Sequence, residues 1–334
     1  MPKTKMDEVR WGIIGAGDVC EVKSGPAFNL VNHSKLVAVM RRNADRAADY
    51  AKRHNVPKWY DDVEKLIHDP EINAIYIATP PDSHMRYTQM SADAGKPVYV
   101  EKPMARTYDE CVKMVEACEN ANVPLFVAYY RRRLPNFLKI KELVQEGTIG
   151  DIRHVNIRLY KTLHPDIVGA SESKDNWRIF PEIAGGGYFY DLASHQLDFL
   201  DYLFGPVLDA EGFANNQAGL YPAEDIVSGS FYFKNGVIGQ GTWCFTTSKV
   251  SSIEKTTIIG SKGQISFSYF GDGSVTLETE KKDKEIIPFM VPRHIQLPLI
   301  TTIVGELRAE DKCPSTGVSG ARTNRVMEKL CKRI

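Results

Sequence analysis

Short apolar runs alternate with amphipathic stretches through the first third of the chain. The runs at 9–14 (VRWGII), 35–40 (KLVAVM), 74–78 (AIYIA), 97–100 (PVYV) and 123–128 (VPLFVA) read as buried strands. Between them, apolar residues recur at helical spacing over 19–30, 44–54, 83–94 and 108–120, with a short helix ending at His68. Gly25-Pro26 interrupts the first of these helices. Strands apolar on both sides, separated by helices, predict a doubly wound parallel sheet covered on both faces.

The pattern changes after Tyr129. A helix over 135–146 stops at Gly147, and the strands then become longer and alternate apolar with polar: 152–161, 207–215, 226–234, 237–246, 252–260, 263–269, 274–280 and 285–289. Asn235-Gly236 is a hairpin signal, and Ser261-Lys262 marks another tight turn. Helices are expected over 188–204, 299–310 and 320–333. The chain therefore reads as an α/β protein: a parallel domain over 1–128, then an α+β domain over 129–334 with a large open, mostly antiparallel sheet.

Composition narrows the function classes. The 334 residues suit two domains. Lys+Arg and Asp+Glu are both 42, so the balanced charge gives no footprint for nucleic acid. The longest basic run, Arg131-Arg132-Arg133, suggests a solvated or phosphate-facing turn. No stretch is long and uncharged enough for a bilayer span, and residues 1–10 lack the apolar core of a signal peptide. Six scattered cysteines at no metal spacing read as reduced thiols, so a cytoplasmic protein without a metal site is expected.

Candidate chemistry gathers at strand ends. After the first strand comes Gly15-Ala16-Gly17-Asp18-Val19-Cys20. Gly15 suits a tight turn, Gly17 lets a pyrophosphate approach the backbone, and Cys20 is small enough for the third position, which packs helix on strand. A tight turn without a ligand is the alternative. The second strand ends in Met40-Arg41-Arg42, where an NAD-selective site would carry an acid on the ribose. Arginines there favour a 2′-phosphate, so NADP is expected, with NAD as the alternative. The third strand runs into Thr79-Pro80-Pro81-Asp82-Ser83-His84, and the fourth into Glu101-Lys102-Pro103. We expect Thr79, Pro80, His84, Glu101 and Lys102 near the same ligand. A cis bond before Pro103 is open from sequence. Downstream, Gly185-Gly186-Gly187 precedes Asp191 and His195, which are four apart and share a helix face. Tyr130, Tyr188 and Tyr190 are substrate-contact candidates or core aromatics.

In this order and over nearly the whole chain, the Gly15-Ala16-Gly17 turn, Glu101-Lys102-Pro103 and the Gly-rich block ending in Asp191 and His195 resemble the glucose–fructose oxidoreductase/inositol dehydrogenase (Gfo/Idh/MocA) family. The resemblance implies an N-terminal Rossmann domain and reversible hydride transfer between NAD(P) and a secondary alcohol of a sugar, cyclitol or related diol. It implies Lys102 beside nicotinamide and substrate, Asp191 on substrate hydroxyls, and His195 as proton donor or acceptor. Trp177-Arg178 match a pair that reaches the cofactor in some members, and Ala193 stands where many have glycine. Some members use a retained cofactor in a redox-neutral elimination or hydrolysis, and a non-catalytic NAD(P)-binding regulator is a third reading. The family sheet often joins protomers, and an aromatic-rich sheet (Phe231, Tyr232, Phe233, Trp243, Phe245) suggests a homodimer or homotetramer. Specificity is expected from the loop over 163–180 and from the sheet.

Overall fold

A computed structural model describes residues 5–163 and 176–332. The first of its two compact units contains β1 (Val9–Ile14), α1 (Asp18–Val22), β2 (Ser34–Met40), α2 (Ala44–Arg53), β3 (Lys58–Tyr60), α3 (Val63–Ile67), β4 (Ala74–Ile77), α4 (His84–Asp93), β5 (Val98–Val100), α5 (Tyr108–Asn120) and β6 (Leu125–Val127). All six strands pair in parallel, in the order β3-β2-β1-β4-β5-β6. The order reverses between β1 and β4, and such a switch point opens a crevice at the carboxyl ends of the strands. On one face Ile14, Met40, Ile75, Ile77, Val98 and Val100 belong to a common core with residues of α3, α4 and α5. Elsewhere in the unit, Trp11, Phe28, Tyr76 and Tyr99 form a ring of aromatic contacts, with centroids 4.8–6.4 Å apart; Tyr76 and Tyr99 stack and the other pairs are tilted or edge-on.

Two local expectations fail here. The helix expected over 19–30 ends at Val22, and a 3₁₀ turn over Gly25–Asn29 follows. A Cβ at Gly25 would lie 2.2 Å from both the Cys20 carbonyl oxygen and the Tyr50 hydroxyl, so only glycine fits this close approach. The edge strand β3 escaped notice because three residues with a half-exposed tryptophan carry no alternation. Cys20 itself is fully buried, and burial pushes its thiol up to about 12. It acts as a small packing residue.

The second unit contains α6 (Pro135–Gln145), β7 (Ile152–Tyr160), α7 (Pro181–Ala184), α8 (Tyr188–Phe204), β8 (Val207–Asn215), β9 (Ile226–Phe233), β10 (Ile238–Cys244), β11 (Ile253–Gly260), β12 (Gly263–Phe267), β13 (Val275–Thr279) and β14 (Lys282–Ile287). The eight strands run in the order β14-β13-β12-β11-β7-β10-β9-β8. Only β7 and β10 pair in parallel; the other neighbours are antiparallel. The aromatic residues expected at an interface divide. Phe231, Phe233, Trp243 and Phe245 are buried in the unit's own core, where Trp243 meets Phe189 and Phe233 meets Phe204 of α8. Tyr232 alone of the five faces solvent, because alternation along β9 turns it to the other side of the sheet.

The basic run also differs from expectation. Arg131 and Arg132 are buried; Arg131 donates to the Tyr269 carbonyl (2.8 Å) and Arg132 donates to both oxygens of Asp198 (2.8 and 2.6 Å). They serve packing around α8, not a phosphate.

After β14 the chain returns to the first unit with α9 (Leu297–Leu307), and α10 (Gly317–Leu330) begins there and ends in the second unit. The second unit is thus not the single run 129–334. Helix α9 is apolar on most of its circumference and belongs with the parallel sheet. Periodicity shows that a helix has an apolar face, not which sheet it covers.

Candidate active site

The first unit gathers one set of candidate residues at the switch point. Gly15 follows β1 with φ +86°, and a Cβ there would lie 2.5 Å from the Thr79 methyl. Its N–H donates to the Met40 carbonyl (2.9 Å), which ties the turn to the end of β2. Gly17 caps α1, and a Cβ on it would meet only the Gly15 carbonyl, at 3.8 Å. The space above Gly17 is therefore open to a ligand. Asp18 and Val19 form the first turn of α1. The N–H groups of Gly15 and Ala16 are taken by the Met40 carbonyl and that of Gly17 by the Gly15 carbonyl, which leaves those of Asp18 and Val19 at the start of α1.

Arg41 follows β2 and is half-buried, its N–H bound to the Tyr60 carbonyl (3.1 Å); Arg42 is exposed. Neither guanidinium has a hydrogen-bond or ion-pair partner among the described residues. Two cations thus stand at the strand end where a ribose 2′-substituent would lie.

Thr79 and Pro80 follow β4, with the Thr79 hydroxyl accepting from Ser83 (2.7 Å). His84 is fully buried and does not open toward a ligand. Its Nε2 lies 2.7 Å from the Thr79 carbonyl and its Nδ1 lies 3.1 Å from that of Met104. Both ring nitrogens thus face acceptors, which only a ring with two N–H groups satisfies together, whereas burial pushes its pKa down, toward the ring with one. Lys102 leaves the end of β5, and its bond to Pro103 is cis. Glu101, expected among the ligand contacts, is buried, and its carboxylate accepts from Tyr76 (2.6 Å), Gln296 (2.6 Å) and the N–H of Lys102 (3.1 Å). Tyr130 closes this unit and is buried.

The second set lies in the second unit. Asp191 and His195 sit four apart on α8, both buried. The Arg178 Nε lies 3.4 Å from an Asp191 oxygen, and the guanidinium stacks over Trp177 at 4.5 Å. Tyr188 accepts a hydrogen bond from Asn176 (2.8 Å), and burial raises its hydroxyl pKa. The glycine run has packing reasons. Gly185 has φ +85°, and a Cβ at Gly186 would lie 2.1 Å from the Tyr190 ring. Tyr190 is buried. Residues 164–175 of the loop expected to set specificity lie outside the described residues.

Sequence reasoning missed the support around these groups. The Phe270 ring stands edge-on to His195, with centroids 6.2 Å apart, and the Arg131 guanidinium lies 4.7 Å from its centroid. Glu254 holds that loop by accepting from the Ser268 hydroxyl and from the N–H groups of Tyr269 (2.9 Å) and Phe270 (3.2 Å). These partners are distant in sequence and belong to no motif.

A family model described as an oxidoreductase family with an NAD-binding Rossmann fold matches residues 9–129. One described as a GFO/IDH/MocA C-terminal domain matches residues 137–266. The chain is similar to Oxidoreductase P35 of Formosa agariphila, with 41% identity over 97% of this chain and 98% of that protein. It is also similar to 1,5-anhydro-D-fructose reductase of Ensifer adhaerens, with 31% identity over 71% of this chain and 70% of that one. In fold it is similar to aldose-aldose oxidoreductase from Caulobacter crescentus, solved with glycerol: TM-score 0.82, 22% identity, 97% and 96% of the two chains covered.

Proposed function

The chain belongs to the Gfo/Idh/MocA oxidoreductase family, and from that premise we propose that it moves hydride reversibly between NADP and a secondary alcohol of a sugar, cyclitol or related diol. The observation that carries the cofactor reading is the open backbone at Gly17, in a turn bonded to the end of β2, where the Arg41 and Arg42 guanidiniums have no partner among the described residues. The relatives named for sugar chemistry support the substrate class.

When bound, the nicotinamide takes or gives the hydride. The protein must orient the carbinol carbon and move one proton. His195 exchanges that proton with the hydroxyl oxygen. Lys102 supplies positive charge where negative charge develops on oxygen. Asp191, paired with Arg178, grips a neighbouring hydroxyl; Tyr130 and Tyr188 contact the substrate. Gly15, Gly17, Asp18, Val19, Arg41, Arg42, Thr79, Pro80 and Lys102, with Trp177 and Arg178, hold the cofactor. Glu101 and His84 act from beneath.

Calorimetric titration with NADP, NADPH, NAD and NADH, followed by turnover on a panel of sugars and cyclitols, tests this reading. NADP forms are expected to bind more tightly than NAD forms. Arg41→Asp should reverse that preference, costing NADP about tenfold or more through loss of a charge-assisted contact and gain of repulsion. An unchanged ratio would remove Arg41 from the phosphate site, and binding of none of the four would overturn the whole reading.

We also propose that the chain works in the cytoplasm as a homodimer or homotetramer through the open face of the eight-stranded sheet. Tyr232 of β9 and Ile238 of β10 stand exposed opposite each other, and exposed Phe213 of β8 lies farther along the same face, opposite Ser228. Sedimentation at micromolar concentration should give a multiple of the 37.5 kDa chain mass; a monomer would overturn it.

A further inference from the structure

One buried polar cluster of the first unit has a composition that packing alone does not explain. Glu101 directly follows β5 with its carboxylate inside the protein, and no Lys or Arg pairs with it among the described residues. Leaving water costs a carboxylate several kcal/mol on the order of magnitude, unless donors replace the lost hydration. Three donors do so: the Tyr76 hydroxyl (2.6 Å), the Gln296 amide nitrogen (2.6 Å) and the N–H of Lys102 (3.1 Å). An apolar residue would fill the same space without that cost.

Gln296 is the long-range member. It is fully buried and precedes α9, 195 residues from Glu101. Its amide orientation is fixed on both sides: Oε1 accepts from Tyr99 (2.7 Å), so Nε2 must face the carboxylate. Its N–H reaches the Lys23 carbonyl (3.2 Å), just past α1, and its own carbonyl accepts from Leu299 and Ile300. The rings of Tyr76 and Tyr99 stack at 4.8 Å, which fixes both hydroxyls. The other side of the Lys102 loop is held by His84 against Met104. The strand end that presents Lys102 is thus clamped at the residue before it and at the second residue after it.

We propose that Gln296 is a positioning residue for the reaction: by holding the Glu101 carboxylate against the Lys102 N–H, it sets where the Lys102 side chain leaves the sheet. This rests on the role given to Lys102 above. Misplacing a reacting or charge-stabilising group by an ångström can cost about 10²-fold, and an indirect support should cost less.

The test uses the full chain with Gln296→Met, which removes the amide at similar volume, and Gln296→Glu, which keeps a donor only while protonated. In the glutamate variant two carboxyl groups meet at a contact that is 2.6 Å in the parent, so they share a proton at acid pH and repel above it. Gln296→Met should lower kcat about tenfold, with KM for the alcohol and cofactor Kd within about threefold of the parent. Gln296→Glu should approach parent kcat at the acid end of the profile and fall below it as pH rises.

A second readout needs no turnover: trace acetylation across pH, resolved by peptide mass spectrometry. Lys102 should change its labelling rate about threefold or more in both variants, while lysines of the second unit keep theirs. Parent-like kcat per folded molecule, parent-like pH profile and unchanged Lys102 labelling would overturn the proposal, even if the melting temperature falls. If the methionine variant does not fold, the glutamate variant carries both readouts. A parent chain that binds no nicotinamide nucleotide would instead defeat the proposed function, and the labelling experiment would still decide the link from Gln296 to Lys102.

Discussion

Replacing His195 by alanine is expected to lower kcat by about 10²- to 10⁴-fold, the range of a positioned general base. Its imidazole lies on α8 with Asp191 one turn earlier, and Phe270 stands edge-on to it. His195 is not among the residues proposed to hold the cofactor, so cofactor Kd should stay within about threefold of the parent. Added imidazole should restore part of the rate, which a purely structural defect would not allow. Lys102→Met should lower kcat by a similar factor without imidazole rescue, because it removes charge stabilisation, not the proton carrier. Full turnover by the alanine variant across pH would move the proton to Lys102 or to a water.

The second large effect concerns stability. Arg132→Met is expected to destabilise the protein by about 3–5 kcal/mol, the usual cost of leaving a buried charge without its partner. Arg132 and Asp198 are 2% and 1% exposed, so water cannot replace the lost contact. Burial pushes the Asp198 carboxyl up from 3.8 to about 6, while Arg132 pulls the other way. The sign follows from proton linkage. Between those two values the folded state holds a proton that the unfolded state has released, so this group's effect weakens the fold as pH rises through the window. Without Arg132 the folded pKa climbs further, and the variant should lose more stability at pH 8 than at pH 5. Urea unfolding at both values measures this. Asp198→Leu added to Arg132→Met should recover most of the loss, since an apolar pair of similar volume is often neutral in such a site. Equal losses at both pH values would show that the ion pair is not the cause.

Much of the architecture was legible in the order of residues. Helices over Tyr108–Asn120 and Tyr188–Phe204 and the strand over Val207–Asn215 match the pattern end to end, because their periodicity is strong and their stops are sharp. The motif residues were equally visible: Gly15 and Gly17 at a strand–helix turn, Lys102 at a strand end, Asp191 and His195 one turn apart. These features are local, and backbone geometry and side-chain period are properties of neighbouring residues. Their chemical settings were not visible. Arg131 and Arg132 read as a basic turn, yet they are buried against Tyr269 and Asp198. His84 and Glu101 read as ligand contacts, yet their polar atoms are taken up inside the first unit. The return of Pro292–Ala321 to the first unit brought Gln296 to Glu101 across 195 residues of chain. The sequence by itself determined which elements form and which residues stand at their ends. The tertiary structure decided which polar groups face each other, because burial and hydrogen-bond partners depend on distances in space that no spacing along the chain encodes.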